Sequence, residues 1–133
     1  MQTATMMRSH PAPSALDRGL LARVIDVAIE CAQACTACAD ACLSEKAVAD
    51  LRACIRSDLD CADVCETTAR VLSRHTAYDA DVTRALLTAC VAACVACGAE
   101  CERHAGMHEH CRVCAEACRA CEAACGELLA AIG

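Results

Sequence analysis

Apolar positions recur along this chain at alternating intervals of three and four residues, a mean of about 3.5 that marks the inward seam of packed helices. Four segments carry the pattern. The first has Asp17 as its N-cap and runs to about Leu43, and Ser44, Glu45 and Lys46 make a short turn. The second spans about Ala47 to Ser73, followed by a connection over Arg74 to Tyr78. Asp79 caps the third, from about Ala80 to His104, and Ala105-Gly106 separates it from a fourth running from about Met107 to Leu129. Such short connections place consecutive helices antiparallel. The expected fold is all-α, an antiparallel up-down-up-down four-helix bundle occupying residues 15–133. Residues 1–14, with Met1, Met6 and Met7, read as a flexible polar tail.

The residue type in the seam changes the picture. Cys31, Cys35, Cys38 and Cys42 are spaced four, three and four apart, and so are Cys90, Cys94, Cys97 and Cys101. The last segment carries Cys111, Cys114, Cys118, Cys121 and Cys125 in the same alternation. The second carries Cys54, Cys61 and Cys65, with Asp58 where the rule calls for a further member. At 100° per residue, four such positions fall in a stripe roughly 60° wide, so all sixteen thiols are expected to face inward. Continued along the helices, the same phase meets Val24, Leu51, Leu72, Leu87, Leu128 and Ile132. The seam is one core stripe that turns from apolar to thiol along its length.

One or two buried cysteines are ordinary small hydrophobes. Sixteen in register are not. Thiols on four helices fill the space between them poorly, each layer carries a cavity cost, and Leu would hold the helices together better. The thiols therefore serve a ligand. Neighbours on one stripe are separated by about 4.5–6 Å of helix rise, close enough to share an ion, and facing helices complete further sites.

Soft thiolates select Cu(I), Zn(II) or Fe–S clusters. Structural zinc wants closed tetrahedra drawn from loops and knuckles, whereas the C-x-x-C pairs at 35–38, 94–97, 111–114 and 118–121 lie inside continuous helical seams. The Cys-Pro of iron–sulfur motifs is missing. Cu(I) accepts two or three sulfurs, shares bridging thiolates and carries one charge per ion. Many Cu(I) ions are therefore the expected cargo, with a Zn(II)- or Cd(II)-binding metallothionein-like protein and an Fe–S electron carrier as alternatives. Nothing resembles a Ser-His-Asp set, a phosphate loop or a paired-carboxylate site, and no enzyme is expected.

The thiols have a near and a far end. Cys42, Cys54, Cys101 and Cys111 lie nearest the end holding the first and third turns; at the other, Leu20, Leu21, Val24, Leu72, Leu86, Leu87, Leu128 and Ile132 should form an apolar plug. His104 follows Cys101 by three residues, His108 follows His104 by four, and Met107 precedes Cys111 by four. These three extend the phase through the turn as soft donors for ion entry and release. His110 is off phase and stays outside the set, as do His10 and His75. Asp58 has two open readings: a carboxylate beside the metal, or a side chain turned outward at a kink to avoid burying an unpaired charge.

Composition narrows the setting. The 133 residues suit one domain; Tyr78 is the single aromatic among Phe, Trp and Tyr, which disfavours a β-sandwich or barrel. A net charge of -6 argues against nucleic acid and anionic membrane as partners. The N-terminal stretch lacks an apolar h-region and a cleavage signature, and no run of about 20 apolar residues stands out as a span. A reducing cytoplasm is the expected location, where cysteines hold metal more often than they form bridges.

The repeated C-x-x-x-C pairs, Cys31/Cys35, Cys38/Cys42, Cys61/Cys65, Cys90/Cys94, Cys97/Cys101, Cys114/Cys118 and Cys121/Cys125, resemble the cytosolic branch of the bacterial copper storage proteins. The resemblance covers about Asp17 to the C-terminus. It implies a homotetramer of four-helix bundles storing close to one Cu(I) per thiol, with histidines matched here by His104 and His108 taking part in entry. Delivery by a copper chaperone would fit such a store.

Overall fold

Two aspartates open helices as expected. In the computed structural model, which describes residues 2–133, Asp17 accepts the Leu20 amide at 2.7 Å. Asp79 accepts those of Asp81 and Val82 at 2.9 and 3.2 Å. Each carboxylate satisfies donors that the first helical turn leaves open. Five α-helices result: α1 (Thr3–Ser9), α2 (Arg18–Leu43), α3 (Arg52–Leu72), α4 (Ala80–His104) and α5 (Glu109–Ile132). No strand occurs among the described residues.

The four long helices close a ring in which α2 packs on α3 and α5, and α4 packs on the same two. Cross-contacts run in opposite senses: Cys65 of α3 meets Cys90 of α4, and Cys54 meets Cys101. The thiol stripes of all four helices meet on the axis of this ring.

Three departures from the sequence expectation have local causes. First, α3 begins at Arg52 rather than near residue 47, because Val48–Leu51 tighten into a 3₁₀ turn that drives Leu51 into the core at 1 % exposure. Second, residues 3–9 of the expected flexible tail form α1, packed on α2; Met1 of that tail lies outside the described residues. Arg18 holds this segment. Its guanidinium donates to the carbonyls of Met7 (2.7 Å), Arg8 (3.1 Å), His10 (3.2 Å) and Ala12 (2.6 Å), satisfying acceptors that the end of α1 leaves open. Met7 is buried, and its sulfur lies 3.1 Å from His75 Nε2. Third, α4 taken alone is long and apolar enough to cross a membrane, contrary to the expectation that no segment would be. Its apolarity comes largely from Ala, Val and Leu beside the cysteines, and its thiol stripe faces α3 and α5 rather than outward.

The plug is present without Leu86, which is half-buried and does not join the side chains packed on the core. Leu21, Val24, Leu72, Leu87 and Leu128 are buried, with Leu20 and Ile132 packed partly buried against them. Thr68 joins them, fully buried, its hydroxyl donating to the Val64 carbonyl at 2.7 Å. It satisfies its own polar group and marks the boundary between thiol and aliphatic layers.

A candidate metal centre along the helix axis

All sixteen cysteines are free thiols, and none exceeds 1 % exposure. Their sulfurs form one connected run. Nearest the first and third turns, Cys38, Cys42, Cys54 and Cys111 converge, every sulfur within 4.8 Å of the others. Below them the same criterion gathers Cys38, Cys54 and Cys101 with Asp58, then Cys35, Cys97, Cys114 and Cys118. Next come Cys31, Cys35, Cys61 and Cys118, and then Cys31, Cys65, Cys94 and Cys121. Cys90 closes the run, 3.8 Å from Cys65 and 3.7 Å from Cys125.

The closest sulfur pairs lie between 3.6 Å (Cys114–Cys35) and 4.0 Å (Cys97–Cys101), far beyond the roughly 2.05 Å of a disulfide. Several sulfurs belong to more than one group, so the groups overlap and cannot act as isolated cages. Burial pushes Cys42 up to about 11 and raises Cys111 as well; an ion that binds there must displace protons.

Asp58 is wholly buried in an unbroken α3, which overturns the outward-turned reading. Its Oδ1 accepts from Cys97 at 3.0 Å, Cys114 at 3.3 Å and Cys101 at 3.4 Å. No buried side-chain nitrogen or oxygen among the described residues lacks a partner. Burial, followed by the hydrogen bond with Cys97, pushes the carboxyl up to about 12, so the acid is neutral in the metal-free tube.

A raised acid of this kind lowers stability as pH rises. Below about pH 4 both folded and unfolded chains hold the proton. Above it only the unfolded chain releases it, and the folded state loses ground by about 1.4 kcal/mol per pH unit through neutrality, as an upper limit for one site. Asp58→Asn keeps the shape and removes the titration. The variant is expected to be more stable than the parent at pH 7 without metal, with the gap shrinking toward pH 4. Chemical denaturation of both proteins at the two pH values checks this; equal stability at pH 7 would mean the carboxyl ionises freely in the fold.

At the end holding the first and third turns, the structure redistributes the expected donors. His104 turns to Glu100, its Nε2 3.2 Å from Oε1. Met107 stands 75 % exposed in the turn. His108, the N-cap residue of α5, places Nδ1 2.7 Å from Glu45 Oε2. The imidazole that reaches sulfur is His110, set aside by its phase: Nδ1 lies 3.4 Å from Cys38 and 3.6 Å from Cys111. Burial alone would lower its basicity; hydrogen bonds with Cys38 and Glu45 outweigh that and raise it. Periodicity could not have found His110, because it sits in the first turn of α5 and crosses to α2 rather than pointing down its own seam. Its one signal was its place directly before Cys111.

The family model described as copper storage protein matches residues 17–130. The chain belongs to the copper storage protein family. Among solved structures of the family, the copper storage protein Ccsp from Streptomyces lividans, loaded with 10 copper equivalents, is 67 % identical; the match covers 96 % of this chain and 98 % of that one, with a TM-score of 0.95. A structure of the cytosolic copper storage protein from the same organism with five coppers is 72 % identical over 84 % of this chain and 93 % of that one, at a TM-score of 0.84. A cysteine-rich protein of Bacillus subtilis, YhjQ, described as uncharacterized, is 35 % identical over 92 residues, 69 % of this chain and 80 % of its own length.

Proposed function

We propose that this chain is a cytoplasmic store that takes up many Cu(I) ions on its sixteen cysteines and holds them without catalysis. The observation that carries this reading is the unbroken run of buried sulfur contacts from Cys42 and Cys111 to Cys90 and Cys125. Membership of the copper storage family and the copper-loaded Streptomyces structures support it.

The charge balance favours Cu(I) over Zn(II). A zinc ion on four thiolates leaves a net double negative charge, and a buried tube of such sites would accumulate charge without counterions. One Cu(I) per thiolate is neutral, and bridging sulfurs suit overlapping groups of donors. Asp58 offers an oxygen donor among Cys54, Cys97, Cys101 and Cys114. His104, His108 and Met107, joined by His110, form the zone of entry and release.

The vessel in this reading is the antiparallel up-down-up-down four-helix bundle, assembled as a homotetramer. An apolar groove between α2 and α3, lined in part by Ile29, Ala32, Ala37 and Ala69, offers a face for that assembly. Copper would reach the store on a carrier protein that hands over ions at the mouth.

Anaerobic titration of the reduced protein with Cu(I) against a chromogenic chelator tests the proposal. More than ten ions should be withheld from the chelator per chain, with release favoured by acid as thiols regain their protons. A plateau at one or two ions would remove storage as the function.

A further inference from the structure

A single carboxylate oxygen organises both mouth imidazoles. Glu45, in the turn after α2, places Oε2 2.7 Å from Nδ1 of His108 and 3.0 Å from Nε2 of His110. The two rings stack with centroids 5.4 Å apart and planes 19° from parallel. An ionised carboxylate only accepts hydrogen bonds, and Glu45, its side chain 31 % exposed to solvent, is ionised at neutral pH like any carboxyl in water. Both facing nitrogens must therefore carry their hydrogens. The nitrogens left for a metal are Nε2 of His108 and Nδ1 of His110, the latter already 3.4 Å from the Cys38 sulfur.

The two rings differ in what this demands. A free neutral imidazole prefers its hydrogen on Nε2, so His110 sits in its ordinary tautomer. His108 is held in the less favoured one, with hydrogen on Nδ1. Without the carboxylate it would revert, and Nε2, the nitrogen turned away from Glu45, would no longer offer a lone pair. Ligands of metals are commonly set this way by a carboxylate behind the ring.

We infer that Glu45 is a positioning residue for copper entry: it fixes the tautomers of His108 and His110 so that each presents a lone pair to an incoming Cu(I) ion at the outermost thiols. The inference rests on copper being the cargo. Glu45 itself is outside the sulfur run and binds no ion in this account. The Glu45 amide donates to the Cys42 carbonyl at 3.2 Å, which ties the residue to the end of α2.

The test uses full-length reduced protein. Long-range ¹H–¹⁵N correlation spectra at a pH where the imidazoles are neutral report each tautomer. Stopped-flow transfer of Cu(I) from a coloured chelator reports the entry rate. The parent is expected to show His108 with its hydrogen on Nδ1. In Glu45→Ala it should move to Nε2, and entry should slow roughly tenfold, in the range seen when the outer partner of a metal-binding His is lost. Final copper capacity and thermal midpoint should stay unchanged. Glu45→Gln, whose amide oxygen can accept both bonds, should keep the tautomer and most of the rate.

An Ala variant with unchanged tautomers and unchanged rate would overturn the inference. So would a Gln variant that keeps the tautomer but is as slow as Ala, since that would assign the effect to charge. A His108→Ala control separates the positioning role of Glu45 from storage itself. If it enters copper at the parental rate while the parent still fills, the positioning role fails and storage stands; if the parent takes up no copper, storage itself has failed.

Discussion

Converting Cys31, Cys35, Cys61 and Cys118 together to valine is expected to stabilise the metal-free protein while removing much of its copper capacity. These four sulfurs form one group within 4.8 Å at the middle of the run, and each has 0 % exposure. Thiols contribute only weak hydrogen bonds there, and valine puts a larger apolar group in place of each sulfur. Each replacement is worth on the order of 1 kcal/mol if the added methyl finds space, and less where it crowds its neighbours. The thermal midpoint of the apo variant should therefore rise by several degrees. Capacity should fall by at least the ions those four thiols hold, about one for each, and by more where Cys94, Cys97, Cys114 and Cys121 lose a bridging partner. Calorimetry on metal-free protein and copper counting against a chelator measure the two effects. A drop in apo stability would show that the thiols already pack well; unchanged capacity would show that the middle of the tube holds no metal.

The plug should behave in the opposite way. Leu87→Ala truncates a side chain with 0 % exposure at the aliphatic end and should cost about 2–5 kcal/mol. That is a large share of the roughly 5–15 kcal/mol that holds a domain folded. Leu128, equally buried, should give a loss of similar size. Copper loading should recover much of it, because ions that bind only the folded chain stabilise it by mass action. Capacity should be nearly unchanged, since no sulfur is touched. Thermal unfolding of the variant, empty and loaded, decides it: an apo midpoint near the parent's would mean that the plug is not structural, and a loaded midpoint as low as the empty one would detach the metal from the fold.

The helices and their seam were legible because a single rule, alternating three- and four-residue spacing, governs nearly the whole chain. Asp17 and Asp79 announced two helix starts, and every in-phase cysteine from Cys31 to Cys125 is buried. What escaped depends on contacts between distant segments. Helix α1 exists because Arg18 ties down its carbonyls, and nothing in the local polar sequence signals that bond. Thr68 lies on the seam but reads as polar until its hydroxyl is seen to bond to its own helix. At the mouth the helical phase ends, and with it the predictive rule. His110 reaches Cys38 across the gap between α5 and α2, while His104 turns to Glu100 and Met107 points to solvent. Phase identifies which side chains face a common axis within helices; it has no authority in a turn.

Storage on the sixteen thiols requires copper to lie along the axis shared by the four thiol stripes. Anomalous diffraction at the copper edge, from crystals loaded anaerobically with Cu(I), tests this directly. A row of copper peaks between the sulfurs, from Cys42 and Cys111 down to Cys90 and Cys125, is the predicted result. Copper confined to the surface or the turns, with the interior thiols empty or joined as disulfides, would contradict it.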